Sequence, residues 1–338
     1  MNKILSVFMC IISAIFNLIG IPADSFDILP ADSLNGGDPF MVETSTGTYY
    51  TYTTGGSIDI IKITDTKGFD YEERKTVFYA GSDGTVKDIW APEIHNINGR
   101  WYIIAAAVFN KDAVAIGKMP EVNEDTEHDD YYRYCFVLES KTDDIFGEYE
   151  FKSVLAPAGM NNIDGTYLKA NDKLYFVTSS YKAVAHQCIT ITEMTDPFTL
   201  AEDADGQTVT SVISSPEFTW EKKGWRVNEG PAVLYKDNNI YVVYSASGFS
   251  SGEYALGMLS FVGKNIMNPK HWLKSPVPVH YNNSLKGIYN AGHCSFLYKD
   301  NGEIYMVYHA TKTADFSKSP RLTFIEKVRF IDKIPVFM

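Results

Sequence analysis

The sequence predicts a single-domain, all-β protein, a five-bladed β-propeller. Three observations predict it. First, one turn-then-strand phrase recurs: "STGTYYTYTT" from Ser45, "INGRWYIIAAA" from Ile97, "ANDKLYFVTSS" from Ala170, "DNNIYVVYSAS" from Asp237 and "DNGEIYMVYHA" from Asp300. Second, the repeated strands begin near Tyr49, Trp101, Leu174, Ile240 and Ile304. Intervals of roughly fifty to seventy residues are long for a solenoid repeat and suit a four-stranded blade with its loops. Third, long helical periodicity is hard to find, and short β-branched and aromatic runs bounded by Asn, Asp and Gly dominate. A β-sandwich or a pair of β domains is the competing arrangement, but no Pro/Gly/Ser linker divides the chain.

The elements follow in order. Residues 1–23 read as a secretory signal peptide: Lys3 supplies the positive charge, Ile4 to Ile21 is almost wholly apolar, and cleavage is expected near Ala23. An uncleaved anchor is the alternative, because the run approaches the length that spans a bilayer. Residues 24–338 are then the propeller domain, a secreted, extracellular protein with no membrane contact after cleavage. Cys135, Cys188 and Cys294 remain, an odd count that makes no disulfide scaffold. One bridge such as Cys135–Cys188, or free buried thiols, fits that count. Residues 110–133 read as an inserted acidic loop, solvated rather than metal-binding.

Composition narrows the partners. A formal net charge of −12 leaves no basic footprint for nucleic acid and disfavours polyanionic substrates. The aromatic share of 14% suits pleated strands and also suits sugars, whose faces stack on flat rings. Neutral ligands remain open, and a monomer is expected.

A polar residue stands eight to twelve positions before each repeated strand. These are Asp38 in "GGDPF", Glu93 in "WAPEI", Asp164 in "NIDGT", Glu229 in "NEGPAV" and His293 in "AGHCSF". If the repeated phrase is the second strand of each blade, these residues lie on first strands, which line the central channel, and converge at one mouth. Taken singly, each has an ordinary explanation, since an Asp before Pro or Gly is commonly a turn residue. Together, four carboxylates and an imidazole are costly unless they serve chemistry. Carboxylates in a cleft suit glycoside cleavage: one protonated to assist the leaving oxygen, one ionised to activate water, a third to hold their pKa values apart. No nucleophile elbow, zinc-binding helix motif or P-loop is present.

At these residues the chain resembles glycoside hydrolase family 43, five-bladed propellers that cleave arabinose- and xylose-containing glycans with inversion. "GGDPF", "KDIWAPEIHNINGRWYI", "NIDGTYL", "VNEGPAVL" and "AGHCSF" occur in the family's order. "SPEFTWEKKGWRVNEGP" and "YSASGFSSGEYALG" resemble its exo-acting α-L-arabinofuranosidase branch, which trims α-1,5-arabinan. The resemblance implies that Asp38 is the general base, Glu229 the general acid, and Asp164 the carboxylate that orients the acid and modulates its pKa. It implies that Trp90, Glu93 and Arg321 bind substrate, and that His293 helps hold a Ca²⁺ ion in the channel, through water. It implies a plant cell-wall polysaccharide as substrate. The chain departs from the branch at Thr178, Tyr181 and Ser250, where relatives carry tryptophans. A β-xylosidase or arabinoxylan-debranching enzyme of the same family, and a catalytically silent sugar-binding propeller, are the alternatives. A fructan-cleaving enzyme fits less well, because Gly230 rather than Cys follows Glu229.

Overall fold

Short apolar strands joined by tight turns pair with their sequence neighbours, and here they do so five times over. The structure, a computed structural model, describes residues 26–28, 36–64, 71–81, 86–110, 131–181 and 186–337. The expected signal peptide and most of the acidic insertion lie outside those residues.

The first blade is β2 (Gly37–Thr44), β3 (Gly47–Thr53), β4 (Ser57–Ile63) and β5 (Tyr71–Tyr79). The second is β6 (Val86–Ile97), β7 (Arg100–Asn110), β8 (Tyr131–Ser140) and β9 (Tyr149–Leu155). The third is β10 (Asn161–Ala170), β11 (Lys173–Tyr181) and β12 (His186–Asp196), with the short β13 (Thr199–Leu200) and β14 (Thr210–Ser214) both paired to β12. The fourth is β15 (Arg226–Lys236), β16 (Asn239–Ala246), β17 (Ala255–Phe261) and β18 (Trp272–Lys274). The fifth is β19 (Tyr289–Tyr298), β20 (Ile304–Thr311) and β21 (Leu322–Lys327), completed at its outer edge by β1 (Phe26–Ile28). A strand from the start of the chain thus closes the blade formed by its end, and Phe26 pairs with Glu326. The third and fourth blades also share a two-residue parallel pairing, His186 with Arg226 and Gln187 with Val227.

Each repeated phrase is the second strand of its blade. Such a strand has a neighbouring blade on both faces, so it is apolar without alternation: Ile103 to Phe109 is buried at every position. The core is correspondingly divided among the described residues into clusters between successive blades. Ile60 and Ile103 join the first and second, Ile104 and Phe176 the second and third, and Val177 and Val242 the third and fourth. Val243 and Met306 join the fourth and fifth, and Met41 and Val307 close the ring between fifth and first. Cys135, Cys188 and Cys294 are all free thiols, the first and last buried and Cys188 half-buried.

The inner strands share one irregularity. Pairing is interrupted between Gly37 and Phe40, Trp90 and Glu93, Ile163 and Thr166, Glu229 and Ala232, and Gly292 and Cys294. At the same point of each strand φ is positive: 60° at Asp38, 45° at Ala91, 56° at Asp164, 53° at Gly230 and 43° at His293. These are β-bulges, which re-aim a side chain and bend the strand. Left-handed backbone at the non-glycine positions costs on the order of 1 kcal/mol each, borne by the packed blades around it. Pro39, Pro92 and Pro231 follow directly, in the unpaired step where a missing N–H breaks no ladder bond.

Candidate active site

The bulged ends of the inner strands meet around a cavity of about 420 Å³. Asp38, Asp164, Glu229 and His293 line it from four blades and Trp90 from the remaining one, joined by Arg321. Arg133, Tyr181, Gln187, Trp225, Phe249, Tyr254 and His309 complete most of the wall.

Asp38 is fixed on both oxygens. Its Oδ1 receives Arg321 Nη1 at 3.1 Å and faces His293 Nδ1 at 3.3 Å, while its Oδ2 accepts the Thr53 hydroxyl at 2.7 Å. Thr53 Oγ1 in turn accepts the Ala91 N–H at 2.7 Å, which leaves its proton for Asp38. The Asp38 N–H donates to His309 Nδ1 at 3.1 Å. That nitrogen is therefore an acceptor, and the ring is the neutral Nε2–H tautomer. Burial, the largest influence, likewise holds His309 down at about 4. Burial also opposes charge on Asp38, but Arg321 and His293 outweigh it and keep the carboxyl well below the usual range. Asp38 is ionised at any working pH.

The glycines of "GGDPF" make this clamp. A Cβ on Gly37 would lie 2.0 Å from Arg321 Cζ, and one on Gly36 would lie 1.9 Å from the Tyr52 ring. Both side chains cross the bare backbone.

Glu229 is the opposite case. Burial pushes its carboxyl up to about 7, the charge on Asp38 adds to the rise, and only the Tyr254 hydroxyl, donating to Oε1 at 2.9 Å, and Arg321 pull against it. Tyr254 is itself wedged in place: its ring stacks on His309 at 5.8 Å and lies where a Cβ on Gly292 would be. Asp164 is also raised to about 7, first by burial and then by the charges of Glu229 and Asp38, with His293 opposing. Its Oδ2 accepts the Gly230 N–H at 3.0 Å and lies 3.9 Å from His293 Nδ1. Two carboxyls that resist ionising beside one another titrate as a pair.

His293 bridges Asp38 and Asp164 with one ring nitrogen, and its N–H backbone group donates to Ser245 Oγ at 2.7 Å. Among the described residues no group of three His, Cys, Asp or Glu is spaced to hold a metal ion directly. With Arg321 and His293 already on Asp38, the donor set does not fit a directly bound hard cation. Glu93 is placed apart from the rest. It lies beyond the bulge in a different cavity and pairs with His95 Nε2 at 2.8 Å. The residue of the second blade equivalent to Asp38 is Ala91. Thr53, Tyr254 and His309 were not singled out by sequence. Thr53 and His309 come from second strands, where register points to them, Thr53 pairing with Gly37 and His309 with Gly292, and Tyr254 comes from the loop before β17.

One locked, ionised carboxylate and two carboxyls held near neutrality, gathered at the mouth of a five-bladed propeller, are the fold and site of a glycoside hydrolase. The profile of glycosyl hydrolases family 43 matches residues 30–335, and the chain belongs to that family. It is 29% identical over 306 residues to an extracellular exo-α-(1→5)-L-arabinofuranosidase of Streptomyces avermitilis, covering 86% of this chain and 59% of the relative. It is 29% identical over 293 residues to a protein of the same name from Streptomyces chartreusis, covering 84% and 82%. The chain thus spans about three fifths of the first relative's length and four fifths of the second's. The crystal structure of an α-L-arabinofuranosidase from Lactobacillus brevis superposes with a TM-score of 0.77 and 26% identity, over 92% of this chain and 96% of that one.

Proposed function

We propose that the protein is a secreted, inverting α-L-arabinofuranosidase that removes terminal arabinofuranosyl residues from arabinan or other arabinose-containing plant polysaccharides. The observation that carries it is the opposite proton affinity of Asp38 and Glu229 in one cavity. The names of the similar proteins support the sugar. In the proposed step Glu229 gives its proton to the glycosidic oxygen as the bond to the anomeric carbon breaks. Asp38 takes a proton from a water whose oxygen bonds to that carbon from the opposite face. Asp164 carries the negative charge of its pair, since the Gly230 N–H and His293 both favour it there, and so the shared proton rests on Glu229.

The test is product analysis on linear arabinan, arabinoxylan and aryl glycosides side by side, with proton NMR of the first-formed sugar. Arabinose released first as the inverted anomer is expected. A retained anomer, xylose as the sole product, or no turnover of any substrate overturns the proposal. Export is part of the same proposal, as is a Ca²⁺ ion beside His293 held only through water. Protein recovered from the medium should begin near Asp24 and contain calcium by elemental analysis. An intact N-terminus or a metal-free protein removes the corresponding part.

A further inference from the structure

The tryptophans of the chain fall into two groups by what their indole N–H does. Trp101, Trp220 and Trp272 donate to the backbone carbonyls of Asp143, Pro276 and Ile266 at 2.9, 3.1 and 2.8 Å. Trp90 and Trp225, the two that line the cavity, have no such partner among the described residues. Trp225 is also 51% exposed, an unusual place for a large ring on a soluble surface. It sits just ahead of β15, the strand that carries Glu229.

Trp225 is not loose. Its ring meets Phe249 edge to face at 5.9 Å, and Phe249 meets Phe316 in the same way at 5.4 Å. The three rings come from three loops: the one before β15, the one between β16 and β17, and the one between β20 and β21 that ends in Arg321. The first two loops are tied by the Gly248 N–H, which donates to Lys223 O at 2.9 Å. The result is a supported aromatic shelf at the rim, contiguous with the acid through its strand and with the Asp38 clamp through Arg321.

We propose that Trp225, backed by Phe249 and Phe316, is the platform for the sugar on the leaving-group side of the scissile bond, a specificity-determining residue for chain substrates. This rests on the arabinofuranosidase function proposed above. The sugar being released is enclosed with Asp38 and Glu229. A half-exposed ring at the rim cannot enclose it, but it meets the part of the chain that leaves through the mouth. A flat apolar face stacks on the C–H face of a furanose, and an indole N–H with no partner among the described residues supplies a donor to a hydroxyl.

The experiment compares the wild type with Trp225→Ala and Trp225→Phe on two substrates: α-1,5-linked arabinotriose, and methyl α-L-arabinofuranoside, which offers the shelf nothing to hold. In Trp225→Ala the ratio of kcat/KM for the triose to that for the methyl glycoside should fall about tenfold, equivalent to about 1.4 kcal/mol, mostly through KM. Trp225→Phe keeps a ring against Phe249 and should recover a good part of the ratio. An unchanged ratio in Trp225→Ala, whether or not both activities fall, overturns the shelf alone. A wild type that cleaves neither substrate overturns the proposed function and the shelf together.

Discussion

The same inner strands carry different chemistry at their two ends. On the bulged side three carboxyls share one cavity: Asp38 is locked by Arg321, while Asp164 and Glu229 make no salt bridge to a lysine or arginine among the described residues. On the far side the strands resume regular pairing and line a second cavity of about 290 Å³. There Glu93 has His95 and Glu43 has Lys299. A carboxylate with a base of its own is settled. Carboxyls crowded against each other are not, and their proton can move at small cost. The bulge makes the difference, because it turns Asp38, Asp164 and His293 toward a common point, while Glu93, two residues past its bulge, goes the other way.

The comparison breaks first on Asp38 and Glu93. Asp38→Asn should lower kcat/KM by about 10²–10⁴, alike for every substrate, since each needs the activated water. Glu93→Gln should change kcat/KM by no more than about twofold but lower Tm by about a degree or two, because it removes the charge that the half-buried His95 faces. If Glu93→Gln abolishes turnover at unchanged Tm, the two ends are not separate. Glu229→Gln comes next. It should cost about 10²–10³ on glycosides with poor leaving groups and little on an activated aryl glycoside, which departs without a proton. A uniform loss across leaving groups would deny Glu229 the role of acid.

Much of this was legible in the sequence. The blade count was, because a second strand buried on both faces must repeat the same apolar phrase. So was the convergence of Asp38, Asp164, Glu229 and His293. Glu93 carried a warning in its spacing: it stands eight residues before Trp101, whereas Asp164 stands ten before Leu174 and Asp38 eleven before Tyr49. Counting back ten from Trp101 gives Ala91, the residue with positive φ. Pro39, Pro92 and Pro231 mark the bulges as well, since proline inside a central strand needs an unpaired step. Thr53, His309 and Tyr254 could not be read in this way. Their roles depend on which residue each faces across a strand pair or a stacked ring, and no local pattern encodes that.

The smallest effects sharpen the comparison within the bulged end, at the alkaline limb of kcat/KM. In the proposed mechanism activity needs Glu229 protonated, so the limb reports its carboxyl, held up at about 7 mainly by burial. Two neighbours act on it in opposite senses. The Tyr254 hydroxyl donates to Oε1 and favours the ionised form. Tyr254→Phe removes that help, so the proton is held more tightly and the limb moves to higher pH. An ionised Asp164 disfavours a second charge beside it, as the reciprocal influence of Glu229 on Asp164 indicates. Asp164→Asn removes that repulsion, so Glu229 loses its proton earlier and the limb moves to lower pH. Each shift should be under about one pH unit, because a single hydrogen bond is worth about 0.5–1.5 kcal/mol net and one unit is about 1.4 kcal/mol. Asp164→Asn should also lose more on poor leaving groups than on good ones. Tyr254→Phe should not, since its acid remains protonated. The measurement is kcat/KM against pH for both variants on the two kinds of substrate. Shifts in the same direction, or a fixed limb in Asp164→Asn without leaving-group bias, would mean that Asp164 does not set the acid's proton affinity.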